Sequence, residues 1–252
     1  MSTLNFRPRV PVFDANIGVG HRHDRPAPFA GPEQLLKEMT RHGVERAVIY
    51  QVQGEQISAL DGNALLRDWA ADHSAFSLQW VASAGPNSLA QLQQLDAAAP
   101  IASVRLHDTQ AANAPFTDWL YGDLLTWLSQ QRIPLWISLA DTPAAEIITT
   151  LARFPDLTTV LLGAHYTHSL FVEPLLQNLP NAHLELSRFE NLDGITRLIH
   201  AFGNQRFLYG SYYPRYAMGA MLFYLHHIGL DDDQLAAVCA GNLTRLLERQ
   251  AP

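Results

Sequence analysis

A chain of 252 residues is the usual size of one eight-stranded α/β barrel, and with 48% hydrophobic against 16% charged residues it can bury a sizeable core and holds nothing like a disordered tract. The net charge of −7, from 24 acids against 17 bases with no long basic run, argues against nucleic acid as a partner, and no stretch of about 18 apolar residues is present to cross a membrane. One cysteine, Cys239, excludes an intrachain disulfide and is expected to be a buried thiol in a reducing compartment; with no apolar signal segment at the N-terminus, the expected location is the cytoplasm.

Val10 to Gly20 reads as a short strand running into a glycine-broken turn. Gly31 and Pro32 open a helix with Leu35, Leu36 and Met39 at helical spacing, and Gly43 stands where a left-handed residue ends it. Arg46 to Tyr50 is short and rich in strand formers. A second helix, carrying Leu65, Leu66 and Trp69, is expected from Asn63 to His73, and a third strand from Phe76 to Ala82, before the turn at Gly85 and Pro86. Asn87 is placed to cap a helix carrying Leu89, Leu92 and Leu95, and Ile101 to His107 follows as a strand.

The alternation continues with a helix from Asp118 to Gln131, a strand from Pro134 to Ser138, a helix from Pro143 to Phe154 and an apolar strand from Thr159 to Ala164. A short helix from Glu173 to Leu179, a strand from Ala182 to Leu186, a helix from Asp193 to Phe202 and a strand from Phe207 to Gly210 complete eight units. Two further helices, Tyr216 to His227 and Gln234 to Glu248, close the chain.

With no linker, no repeat and no Gly-x-Gly-x-x-Gly after the first strand, the pattern points to one α/β domain, a (β/α)8 TIM barrel over residues 1–252, rather than an open doubly wound sheet. Chemistry in such a barrel sits at the C-terminal ends of the strands. That selects Asp14 and Asn16 on the first strand, Arg105 and His107 on the fourth, Ser138 on the fifth and His165 on the sixth. The seventh contributes Glu185, Ser187 and Arg188, and the eighth Ser211, Tyr212 and Tyr213.

Arg105 and His107, two apart, share one face of an extended strand, where an arginine is costly without a partner. The partner is either an anionic group of a ligand or Glu185 or Asp14 in a structural ion pair. His165 reads as a general base or as a structural residue. His21 and His23 have the spacing of a metal pair but fall in a polar loop, and His226 and His227, adjacent on a helix, point about 100° apart.

Phe13-Asp14 after an apolar run, Val104-Arg-Leu-His107, Leu161-Leu-Gly-Ala-His165, Tyr209-Gly-Ser-Tyr-Tyr-Pro214 and Ala240-Gly-Asn-Leu-Thr-Arg-Leu-Leu247 resemble, in order and over nearly the whole chain, the amidohydrolase-related (amidohydrolase 2) TIM-barrel hydrolases. That group includes metal-dependent hydrolases, non-oxidative decarboxylases and a metal-free lactonase. Its Asp-x-His-x-His motif would place two metal ligands at Asn16 and Gly18, its strand-five histidine at Ser138 and its strand-eight aspartate at Tyr212, and only the strand-six histidine is kept, as His165. The resemblance therefore implies a divergent member.

The reading that follows is an enzyme acting on a small, anionic molecule by hydrolysis or lyase chemistry, with no cofactor expected and zinc disfavoured. Its partners would be a small-molecule substrate, no nucleic acid and no membrane, with self-association left open. Arg105 would hold the anion, His165 or His107 would move the proton, and Tyr212 and Asn16 would donate to developing oxyanion charge. Ser138, Glu185, Arg188 and Asp14 would line the substrate. The alternative is an inactive, ligand-binding or partner-binding barrel, its mouth plugged by Tyr212, Tyr213, Trp80 and Trp136. A third reading keeps a metal on His21, His23, His107 and His165.

Overall fold

The computed structural model describes residues 6–248 apart from His23, Ala71, Asp72 and Leu192. Eight parallel strands pair in sequence order. They are β1 (Phe13–Val19), β2 (Arg46–Gln51), β3 (Phe76–Ala82), β4 (Ser103–Leu106), β5 (Leu135–Ser138), β6 (Thr159–Leu162), β7 (Ala182–Glu185) and β8 (Phe207–Leu208). The Ala15 N–H donates to the Tyr209 carbonyl at 3.0 Å and the Gly18 N–H to the Tyr213 carbonyl at 2.8 Å, which joins the last strand to the first. The chain is a (β/α)8 barrel, as the alternation of strand and helix patterns implies.

The two-residue period of the strands divides the apolar side chains between two cores. Ile17, Ile49, Val104, Leu135, Ile137 and Leu184 point outward and pack with helix residues such as Leu35, Leu66, Leu92 and Leu124. Phe13, Ala15, Val48, Trp136, Val160, Leu162 and Leu208 instead form an inner cluster with Leu243, from the last helix, Asn242–Leu247. That helix stops the N-terminal end of the barrel, leaving the opposite end for polar groups.

The helices that position the mouth are α1 (Pro32–His42), ended by Gly43 at φ 73°, α2 (Val52–Gln56), α3 (Ala59–Ala70), α4 (Pro86–Ala98) and α5 (Asp118–Gln130). The short α2 lies in an interval that hydrophobic periodicity leaves unassigned. It packs closely on α3: a Cβ on Gly62 would lie 2.2 Å from the Gly54 Cα. Asn87 does not cap α4; the cap position is Gly85, at φ 97°, followed by Pro86 in the first turn.

The final helical stretch is interrupted by a π turn at Ala237–Gly241, where the Val238 carbonyl accepts from the Tyr209 N–H at 2.9 Å. Cys239, in that turn, is buried, and burial pushes its thiol up to about 12. No helix among the described residues is long and apolar enough to cross a membrane.

The glycine contact that seats α2 gives a test. Gly62→Ala should lower stability by about 1–3 kcal/mol, because backbone and not a flexible side chain stands in the way. Gly31→Ala, with nothing within 4 Å of the new atom, should stay within about 0.5 kcal/mol of the parent. Urea unfolding midpoints that coincide for the two variants would refute this account of the α2–α3 packing.

Candidate active site

Above the inner apolar cluster, the inward side chains turn polar. Arg105, from β4, is 1% exposed. Its Nε donates to Glu55 Oε1 at 2.6 Å and its Nη1 to Asn16 Oδ1 at 3.3 Å, while the guanidinium lies 3.7 Å over the Tyr50 ring. Asn16 Nδ2 donates to Glu185 Oε2 at 3.2 Å, and Glu185 accepts from the backbone and hydroxyl of Ser187 at 2.7 and 2.9 Å. Hydrogen bonds thus run across the barrel from Glu55 to Ser187.

Two glycines make room for this network. A Cβ on Gly18 would come 3.2 Å from the Tyr50 hydroxyl, and one on Gly210 would come 2.1 Å from Glu185 Oε1. A slip in the register of β1 between Asp14 and Ile17 accompanies the placing of Asn16 among the inward groups. Burial works against the charge of Arg105, but the Glu55 carboxylate together with Tyr50 and Tyr212 outweighs it, so that the guanidinium pKa is raised. One nitrogen, Nη2, is buried with no partner.

Asp14 lies beside this chain of bonds, 0% exposed. Its Oδ1 accepts from the backbone N–H of Asn16 and of Ser211, both at 2.9 Å, and its Oδ2 is buried without a partner. Burial pushes its carboxyl up to about 7, with the hydrogen bonds opposing and Glu185 adding to the rise. Burial also raises Glu185, against the pull of Ser187 and Asn16.

Tyr212 closes the mouth. It is 4% exposed and sits at φ 55°, a left-handed conformation unusual for a bulky residue. Its hydroxyl accepts from Arg215 Nη1 at 3.2 Å, its ring centroid is 6.0 Å from the Arg105 guanidinium, and burial pushes its phenol up to about 12. The cavity left among Gly18, Tyr50, Glu55, Tyr212 and Arg215 is about 10 Å³, at the lower limit for one water molecule.

Of the four aromatic residues expected to plug the barrel, Trp136 fills the inner cluster below and Tyr212 the mouth, whereas Trp80 packs outward and Tyr213 stacks on Phe29 at 5.8 Å. A larger cleft, about 760 Å³, lies at the other end of the barrel among Arg132, Asp156, His183, Asn242 and Arg245. It is at the strand N-termini, away from the polar network and from where barrels of this kind carry their chemistry.

Arg105, Asn16, Glu185, Asp14 and Tyr212 come together, with Ser187 bonded to Glu185 and the Ser211 N–H to Asp14; His107, His165 and Ser138 stand apart from this network, and Arg188 adjoins it through Tyr216. His107 Nε2 lies 2.7 Å from the hydroxyl of Tyr121 on α5, and burial lowers its pKa. His165 stands half-buried at the rim, its ring 4.0 Å from that of Tyr166 and its Nδ1 3.3 Å from Thr167 Oγ1. Ser138 Oγ accepts from the Ala140 N–H at 3.3 Å, and Arg188 lies 5.1 Å over the Tyr216 ring. Of the histidine pair in the first loop, His21 Nδ1 accepts from the Ala27 N–H and His23 is outside the described residues.

The ion pair of Arg105 is made with Glu55, not with Glu185 or Asp14 as the strand-end residues suggest. Glu55 and Arg215 lie beyond the strand ends, and Tyr50, at the end of β2, joins them as a residue that the selected set lacks. Tyr50 could have been found by counting two residues on from the inward Val48, but Glu55 depends on a helix with no periodic signal.

No protein-family profile matches the chain, and no curated protein matches it by sequence. Solved structures do. An uncharacterised TIM-barrel protein from Bordetella bronchiseptica is 20% identical, over 95% of this chain and 99% of that one, with a TM-score of 0.77. A dihydroxybenzoic acid decarboxylase from Polaromonas, holding manganese and the inhibitor 2-nitroresorcinol, is 10% identical over 94% and 97% of the two chains, TM-score 0.74. An amidohydrolase 2 from Bifidobacterium longum is 13% identical over 96% and 100%, TM-score 0.67.

The bound manganese corrects the expectation that no cofactor belongs here: the fold is one that carries a metal. The side chains of this mouth do not fit such an ion as they stand. The resemblance puts Asn16, Gly18, Ser138 and Tyr212, none of them an imidazole or a carboxylate, at the four ligand positions, and no group of three His, Cys, Asp or Glu among the described residues is arranged to hold a metal ion. The chain has the fold of the amidohydrolase-related barrels, the group its strand-end motifs resemble.

Proposed function

We propose that this barrel takes a small organic anion at its C-terminal mouth and acts on it by hydrolysis or decarboxylation, with Arg105 as the anchor. The observation that carries this reading is Nη2 of Arg105, a donor on a permanently charged group, buried and unpartnered at the strand ends. The decarboxylase of the same fold, whose name gives an aromatic acid as its substrate, supports the choice of an acid.

In this reading Asn16 and Tyr212 donate to developing oxyanion charge and His165, at the rim, moves the proton. Glu185, Ser138 and Arg188 line the ligand, and His107, held on Tyr121, serves the wall of the site. Asp14, with its pKa raised to about 7, stores a proton close to the network. A ligand reaches Arg105 when Tyr212 swings out of the mouth it fills. That filled mouth is also the observation favouring a second reading, a barrel that binds its ligand without turning it over.

Arg105→Ala should cost about 3–5 kcal/mol of stability, because Glu55 is left as a buried, unpaired carboxylate. Arg105→Met with Glu55→Gln removes both charges, should recover most of that loss, and should no longer bind 2,6-dihydroxybenzoate in a calorimetric titration that detects binding to the parent. Retained binding by the double variant would remove Arg105 as the anchor. Binding without release of product, assayed with manganese added, would select the second reading over the first.

Asp14, Glu55 and Glu185 all have raised pKa values in the folded chain, so folding takes up protons and stability falls as pH rises. For Asp14 the window runs from its ordinary 3.8 to about 7. Asp14→Asn, which mimics the protonated acid, should flatten that fall by roughly 2–4 kcal/mol between pH 4 and pH 8. Parallel stability–pH curves for parent and variant would show that Asp14 ionises in the fold as it does in water.

A further inference from the structure

The mouth holds a second guanidinium whose bonding is incomplete. Arg188 follows β7, and its Nε is buried with no hydrogen-bond partner. Unlike Arg105, which has Glu55, it makes no ion pair among the described residues. Its guanidinium lies 5.1 Å over the Tyr216 ring, Tyr216 is 6.0 Å from Tyr212, and Tyr212 is 6.0 Å from Arg105. Two tyrosine rings therefore stand between two cations, each with an unused buried donor, in a chain whose net charge is −7.

We infer that the ligand of this mouth is a small planar acid with two anionic groups, one bound by Arg105 and the other by Arg188. This rests on the mouth being the ligand site. The two ends are not equivalent. Arg105 has given its Nε to Glu55 and its Nη1 to Asn16, so it offers Nη2 to a single oxygen. Arg188 has its Nε edge free, the edge of the fork that takes both oxygens of a carboxylate. Tyr212 and Tyr216 are the surfaces on which a flat carbon framework would lie once Tyr212 has turned, and Arg215, 5.3 Å from the Tyr212 ring, adds positive charge beside them. A monoacid satisfies one of the two donors and leaves the other buried and unpaired, whereas a diacid satisfies both.

The test compares benzoate with isophthalate, which differ by one carboxylate, in calorimetric titrations of the full chain. The parent should bind isophthalate at least about tenfold more tightly than benzoate. In Arg188→Gln isophthalate affinity should fall by about tenfold and benzoate affinity by less, so that the advantage vanishes, and Arg188→Lys, which keeps the charge but not the fork, should recover only part of it. Equal affinities in the parent, or an isophthalate advantage that survives Arg188→Gln in a variant with the parent's melting temperature, would overturn the assignment of two anionic groups while leaving Arg105 as an anion anchor. If the parent binds neither acid, nor any other monocarboxylate or dicarboxylate offered, the mouth is not an acid site and both readings fall together.

Discussion

The ion pair between Arg105 and Glu55 sets the terms for the upper half of this barrel. A guanidinium that is 1% exposed has lost its water, and removing either partner alone would strand the other. Each feature nearby supports that charge. Tyr50 offers the face of its ring, which needs the bare backbone of Gly18; Asn16 joins the pair to Glu185; and Glu185 needs the space at Gly210. Glu55 itself arrives on α2, which packs against α3 where Gly62 meets the backbone of Gly54 too closely for a side chain at Gly62 and tightly for one at Gly54. Four glycines scattered through the sequence thus have one physical purpose.

The barrel was legible because its signals are local and repeated. The strand patterns around Arg46, Phe76, Leu135 and Thr159, and the helix stop at Gly43, carry their structure within a few residues. What could not be read is where two distant segments share one constraint. The π turn exists because the Val238 carbonyl serves Tyr209, and Gly85 rather than Asn87 precedes α4 because Pro86 occupies the first turn. Neither fact is visible in an apolar period.

The candidate site was legible in part, for the same reason. Counting by two along a strand brings Arg105 to an inward position, and the motif at Tyr209 to Pro214 brings Tyr212 to the mouth. The same count brings His107 inward as well, but Tyr121 takes its ring toward α5. Side-chain direction beyond the last paired residue of a strand is decided by the neighbouring helix, and the strand pattern no longer governs it. The Glu55 carboxylate was hidden because a five-residue helix is too short to show a face.

The join between first and last strands bears on how the molecule assembles. The Ser211 N–H reaches the Asp14 carboxylate across 197 residues of sequence, and the inner cluster takes Leu243 from the final helix. Contacts between segments so far apart must overcome the entropy of closing a very large loop, and they form after the neighbouring βα units have paired. Until the eighth strand docks, the inner faces of β1 and β8 stay open to water and to other chains. The residues that close the mouth are therefore among the last to reach their places, which makes barrel closure the step of folding most exposed to competition from aggregation.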